Sequence, residues 1–491
     1  MENLLKQLML GKALLFIVVL GLGGSFQTGL HLTLISSPTP FIKSYINSSW
    51  TQRYGQAPGE NTVTFIWSMV TSIYALGALI GAISVQWITN QMGRKRAMIW
   101  NNSINVIGLA IMISSKFTNY FEMILLSRFL FGFTSGLAGN IHVLYLGDCS
   151  PKRIRGIITL TVAIFLAGGK LMGQVMGLSE ILGREELWNL LLCVPSVFFS
   201  IIQMIALPFF PEAPRYLLIE KGNMEGCKKA LQYLWGPGDY KLEIEEMLVE
   251  QSALKGERSK TPMELLRDRS MRWQVLCTFA INGGVQFCGI AAFSVFTFSI
   301  FQEAGIPVDK IRYVTLGLGI SEIVTNITCG LMIERVGRRV LLWTGFGAMG
   351  IIMALLTVTL ELKDYSFWMP YSTVGLIFLF VIFYGAGPAG VLNSICHEIF
   401  MQTYRSAAFV FIGILQWGGF SVLGFTFPFL LATLKSFSFL CFSCVCLTAS
   451  LFFYLILPET KGKSPMEISE DFKNIRVCGS STKEMCLETR L

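Results

Sequence analysis

Charge is what this sequence has little of. Asp, Glu, Lys and Arg make up 14% of its 491 residues, against 53% hydrophobic, whereas a soluble domain carries about 25% charged residues. A chain this poor in charge cannot cover a water-facing surface of its own size, which excludes an ordinary soluble fold. Histidine is scarcer still, with three residues. No metal-type cluster of His, Cys, Asp and Glu is visible, and neither is a set of nucleophile, base and orienter, so no enzyme activity and no cofactor are expected. The twelve cysteines are scattered along the apolar segments and the carboxy-terminal tail, and the first long polar loop has none. Disulfides are therefore not expected.

In place of charge there are apolar runs of roughly 18 to 25 residues, each long enough to cross a hydrocarbon core at a rise of 1.5 Å per residue. They fall near 13–35, 62–88, 97–115, 122–143, 157–178 and 187–208, then near 272–302, 313–333, 340–360, 370–395, 407–433 and 437–457. Only helices satisfy the backbone amides of such continuous apolar stretches in lipid. The first run is too long for a signal-peptide core and no small-residue cleavage site follows it, so it is expected to remain as a span. The pattern predicts an all-α membrane protein of two six-helix halves, 1–210 and 272–457. A polar stretch, 211–271, joins them as short amphipathic helices, and 458–491 forms a tail.

The basic residues give an orientation. Arg94, Lys95 and Arg96, Lys152, Arg153 and Arg155, the polar stretch, and Arg335, Arg338 and Arg339 all fall on one side if the spans alternate. The excess of Lys and Arg marks that side as cytoplasmic, with both termini there, and the expected location is the plasma membrane. The loop 36–61 then lies outside, and its Asn47-Ser48-Ser49 triplet is a candidate N-glycosylation site. Asn326-Ile327-Thr328 has the same pattern but falls inside a span and is discounted.

Paired motifs reveal an internal repeat. Met92-Gly93-Arg94-Lys95 follows the second run and Val336-Gly337-Arg338-Arg339 the eighth; Arg155-Gly156 follows the fourth, and Glu398 with Arg405 follows the tenth. Pro211-Glu212-Ala213-Pro214-Arg215 ends the sixth run and Pro458-Glu459-Thr460-Lys461 ends the twelfth. Such spacing is that of two parallel repeats related by an axis along the membrane normal. Opposite charges at these positions, namely Arg94, Asp148, Arg155, Glu212, Arg215, Glu334, Arg335, Arg338, Arg339, Glu398, Arg405 and Glu459, are expected to pair across the two halves as a cytoplasmic latch. At ~1 kcal/mol for each partly exposed pair, several make a latch that a bound solute can bias.

On these residues, together with Gly24-Ser25-Phe26-Gln27, Tyr145-Leu146-Gly147-Asp148, Gly173-Gln174-Val175, Gly387-Pro388 and Gln416-Trp417, the chain resembles the sugar porter family of the major facilitator superfamily. The resemblance is to the facilitative hexose transporters of vertebrates, and within them to the fructose- and urate-type branch. It implies the major facilitator fold, with twelve transmembrane helices and a cytoplasmic helical linker. It also implies uniport of a hexose such as glucose or fructose by alternating access. Proton-coupled sugar symport and organic-anion (urate) transport are the rivals within transport, and a non-transporting nutrient sensor is the rival from another class.

A neutral polyhydroxylated solute needs amide donors and acceptors and an aromatic face. Gln174, Gln286, Asn393 and Trp417 supply these inside the runs. By resemblance Gln174 and Gln286 match sugar-binding glutamines, and Trp417 matches the tryptophan of the eleventh span. Gln27, His31 and Glu322 are further polar candidates within the runs. His31 and Glu322, with Arg128, are read as the titratable groups deep in the spans, where a lone carboxylate costs ~2.5–3.5 kcal/mol. The family pattern departs at Val285 and Ala291, which stand where a glutamine and an asparagine are usual, and at Gln91, where a basic residue is usual. The chain ends in Glu488-Thr489-Arg490-Leu491, a form that a PDZ-domain scaffold can take as an added strand.

Overall fold

The structure is a computed structural model that describes residues 11–150, 155–238, 240–256, 262–389, 391–392, 395, 399–400, 402–461, 463 and 465–473. Among these, nine runs are long and apolar enough to cross a membrane. One of them, Val410–Leu455, turns back on itself at Lys435–Phe437 and so belongs to two helices, Gln402–Leu434 and Ser438–Leu455. Two further helices, Arg155–Met176 and Val308–Val336, lie among them.

The first crossing is a pair of helices, Ala13–Gly23 and Ser25–Leu34, interrupted at Gly24. A side chain at Gly24 would run into His142. Glu60–Met92 then packs along Glu122–Cys149 so closely that a Cβ at Gly132 would strike the Tyr74 carbonyl. Close backbone approach through small residues is how helices associate where lipid offers no hydrophobic drive. The seventh crossing is in pieces, Arg272–Phe287, Ile290–Val295 and Thr297–Glu303, rather than the single run the hydropathy predicts. Gly289 makes the break with φ +105°, a left-handed conformation that favours glycine.

The polar stretch 211–271 supplies a five-residue π-helix, Tyr216–Glu220, followed by Met224–Trp235, Lys241–Gly256 and Pro262–Arg267. Asn223 caps Met224–Trp235 by accepting from Gly226 N at 2.8 Å, as short polar side chains do at helix starts. The helix buries Cys227, Leu231 and Leu234, and Trp235 Nε1 donates to Cys149 O at 2.8 Å, which fastens the linker to the end of the fourth crossing. Burial pushes the Cys227 thiol up to about 11. These helices lie on one face of the bundle, the linker face; the opposite one is the far face.

One expected loop is a helix. Thr39–Tyr54 runs through the polar segment between the first two crossings, burying Ile42 and Ile46 one turn apart and seating Ser49, which donates to Asn119 O at 2.6 Å. Asn47 is exposed on its outer side.

Candidate functional site

The two halves meet along a polar seam between Arg155–Met176 of the first half and Val308–Val336 of the second. Lys170 Nζ lies 2.6 Å from Glu322 Oε1, with side-chain exposures of 12% and 14%. One turn towards the far face, the Gln174 side chain lies against Gly319, where any side chain would collide with it. Beyond the helix end, Arg312 donates from Nη1 to Ser179 Oγ at 2.8 Å and from Nε to Ser37 Oγ at 3.1 Å, and the Tyr313 hydroxyl donates to Glu180 Oε1 at 2.5 Å. Every rung joins one half to the other. The Glu322 carboxylate thus has a cation beside it, which offsets part of the cost of burying either charge alone.

Among the described residues the Gln174 carbonyl oxygen Oε1 is buried without a hydrogen-bond partner. The Gln174 residue lines a small cavity whose walls also include Ser36, Ser37, Phe298, Arg312 and Thr315. A buried amide acceptor left open costs roughly 1–3 kcal/mol and is a place for a solute hydroxyl or a water. Gln286, 8% exposed, lies on Arg272–Phe287 three residues before the Gly289 break. It packs beside Gly419, where a Cβ would sit 3.2 Å from its Cβ and Cγ. Two residues from Gly419, the Trp417 ring stands edge-on to Tyr74 of the other half, with centroids 6.4 Å apart. The helix contacts between halves here include Thr71 Oγ1 donating to Gly424 O at 2.8 Å.

Gln27 and His31 are elsewhere. Both are buried inside the first half, in a polar network of its own helices. Gln27 Nε2 donates to Ser200 Oγ at 2.8 Å and its Oε1 accepts from Asn105 Nδ2 at 2.5 Å. His31 Nε2 is 2.8 Å from Ser196 Oγ, and the ring stacks on Phe131 at 4.7 Å. Arg128 is buried nearby, its guanidinium 4.5 Å above the Tyr74 ring. These contacts hold the first half together, so neither residue stands in the seam. Asn393 and Glu398 lie outside the described residues, as do the side chains of Arg155, Glu334, Arg335 and Arg405.

At the linker face the described charged pairs stay within one half or join it to the segment that continues it, the linker for the first half and the tail for the second. Glu212 accepts from the backbone amides of Arg94, Lys95 and Ala213, each at 3.0 Å. Arg94 in turn meets Asp148 at 3.0 Å and Glu220 at 2.7 Å, with Arg215 within electrostatic range of Asp148. The second half repeats the device: Glu459 accepts from the amides of Arg338 at 2.9 Å and of Arg339, Thr460 and Lys461 at 3.1 Å. The cause is the turn. Gly93 at φ +82° and Gly337 at φ +97° aim the first amides of the following helix at a carboxylate of the segment that continues the same half, where the helix dipole also favours negative charge.

Two seam residues escaped the sequence reading. Lys170, in Gly168-Gly169-Lys170, is a charge in mid-run and meets the criterion that singled out Glu322; Arg312 stands at a predicted span end where no acidic partner drew attention to it. His142, buried 2.8 Å from Ser25 Oγ, is another titratable group inside the bundle.

Comparison with known proteins agrees with this architecture. The family model described as "Sugar (and other) transporter" matches residues 16–472. The chain is 40% identical over 450 residues to solute carrier family 2, facilitated glucose transporter member 9, of Mus musculus, covering 92% of this chain and 84% of that one. It is 38% identical over 476 residues to member 11 of Homo sapiens, covering 96% and 95%, and 35% identical over 455 residues to member 5 of Equus caballus, covering 93% and 91%. Among solved structures, the inward-open conformation of the xylose transporter XylE from E. coli superposes with a TM-score of 0.76 at 17% identity, over 93% of this chain and 99% of that one, which shows the major facilitator fold. The match across both halves, at these identities and coverages, places the chain in the sugar transporter family, among the members of solute carrier family 2.

Proposed function

We propose that this chain is a multi-pass plasma-membrane carrier that moves a hexose such as glucose or fructose down its gradient by alternating access. On this reading it has twelve spans, the linker face and both termini are cytoplasmic, and the far face is outside. The relatives named facilitated glucose transporters support the class, and the run of Arg94, Lys95, Arg338 and Arg339 along the linker face supports the orientation. The observation that carries the reading is the seam itself: an unpartnered amide oxygen at Gln174, hydroxyls and an aromatic ring gathered where the two halves touch. Rocking of the halves about such a site exposes it to each side in turn.

Uptake by proteoliposomes of labelled glucose, fructose and urate tests the reading. Saturable uptake of a hexose that stops at equilibrium supports it; accumulation above equilibrium under an imposed proton gradient would replace uniport with symport. Preferred uptake of urate would replace the sugar. Against the anion reading, Lys170 has its charge cancelled by Glu322, and Arg128 stands inside the first half. Two attachments complete the proposal. The exposed Asn47 carries an N-glycan, and Glu488-Thr489-Arg490-Leu491, outside the described residues, binds a PDZ scaffold.

A further inference from the structure

Lys170 and Glu322 form the ion pair in the middle of the seam, one contributed by each half. An ammonium has three donors and an ionised carboxylate about four acceptor positions; the bond between them, from Nζ to Oε1, uses one of each. Both side chains keep about one-eighth of their surface open, and the pair lies one turn from Gln174, which lines the cavity of the seam. Attraction between two buried charges repays only part of their desolvation, and the remainder is recovered by further hydrogen bonds. Thr33 Oγ1, donating to Lys170 O at 2.8 Å, fixes the lysine's turn against the first crossing. On the same helix Gln174, one turn on, adds a buried carbonyl oxygen without a hydrogen-bond partner among the described residues.

We propose that Lys170 is a specificity-determining residue, holding Glu322 as half of an ion pair whose spare positions take two neighbouring hydroxyls of a neutral polyol. One hydroxyl oxygen accepts from the ammonium while the adjacent hydroxyl donates to the carboxylate, and the pair stays closed. A free anion gains at Lys170 what it loses at Glu322, so the pair selects for neutral solutes and against organic anions. The inference rests on the hexose-carrier reading above and assigns its seam a donor and an acceptor.

The test is uptake of the hexose that the wild type carries, in proteoliposomes, by three variants. Replacing both residues by apolar groups of similar volume, Lys170→Met with Glu322→Leu, keeps the packing and is expected to raise KM about tenfold, with kcat changed much less. Glu322→Gln leaves the cation alone and is expected to make gluconate, a polyol carboxylate, a competitive inhibitor that the wild type ignores. Exchanging the charges, Lys170→Glu with Glu322→Lys, is expected to return KM to within a few-fold of wild type. An unchanged KM in the apolar double variant, or a loss confined to kcat, would make the pair a tether between the halves and overturn the proposal, as would gluconate failing to inhibit Glu322→Gln. Those outcomes leave the carrier reading intact; a wild type that takes up no hexose removes both.

Discussion

The two polar regions of this bundle are built on opposite plans. At the linker face, Glu212 and Glu459 each close on amides of the half they continue, and Arg94 is held by Asp148 and Glu220 without reaching across. Along the seam, the described side-chain hydrogen bonds of Lys170, Arg312 and Tyr313 go to the opposite half. The first plan makes each half rigid. The second joins them by few side-chain bonds, and those of Arg312 and Tyr313, worth roughly 1 kcal/mol each, are weak enough to be broken and remade in a transport cycle. Conserving the inside of a half while changing its contact with the other is what rocking requires.

Breaking the first plan should do the most damage to stability. Arg94→Ala leaves Asp148, its side chain 13% exposed, without the guanidinium bonded to it, and removal of one partner from a buried pair costs about 3–5 kcal/mol. The expected outcome is a sharply lower melting temperature of the detergent-solubilised protein and little monodisperse material on size exclusion. Glu459→Ala removes an acceptor shared by four amides and should cost about 1–3 kcal/mol by the same assay, with KM of the surviving protein unchanged. Gln174→Ala and Gln286→Ala act on the proposed sugar site instead. Each should raise KM several-fold, about 1 kcal/mol, while melting and surface expression stay as in wild type. Equal KM in both variants and the wild type would remove these residues from the site.

The smallest effect is expected at the far end of the seam. Arg312→Ala removes a guanidinium shared by Ser37 and Ser179, which shifts the balance of the halves by about 1 kcal/mol towards opening at the far face. A Thr315→Cys reporter in the neighbouring cavity should then react several-fold faster with a membrane-impermeant maleimide applied outside. An unchanged rate would mean that Arg312 is not part of the closure.

Much of this could be read in the sequence, and what could not has physical causes. The apolar runs, the linker and the repeated Gly-Arg and Pro-Glu motifs are legible because hydropathy and turn residues act locally. Which partner a charge takes is not local: Arg94 and Arg338 follow glycines whose positive φ turns each helix start towards its own half, and the motif alone does not show the direction. Gln27 and His31 looked like site residues because a polar group in an apolar run is conspicuous on any helix face, yet their face is turned into the first half. Lys170 was legible by the rule that singled out Glu322, and only together do the two explain each other. The Thr39–Tyr54 helix was read as loop because its composition is polar; its signal was the four-residue spacing of Ile42 and Ile46.

Cross-linking distinguishes two halves that rock about their seam from a bundle that moves in some other way. A Cβ at Gly424 would lie 3.4 Å from Ser72 Cα, across the halves, and one at Gly347 would lie 3.9 Å from Ser450 Cβ, within the second half; the latter is close to the usual disulfide spacing of about 3.8 Å. Oxidation of the Ser72→Cys/Gly424→Cys variant should stop hexose uptake and reduction should restore it, whereas the Gly347→Cys/Ser450→Cys bond should leave uptake unchanged. Transport that survives a formed cross-half bond, or is abolished by the bond within one half, would contradict the account.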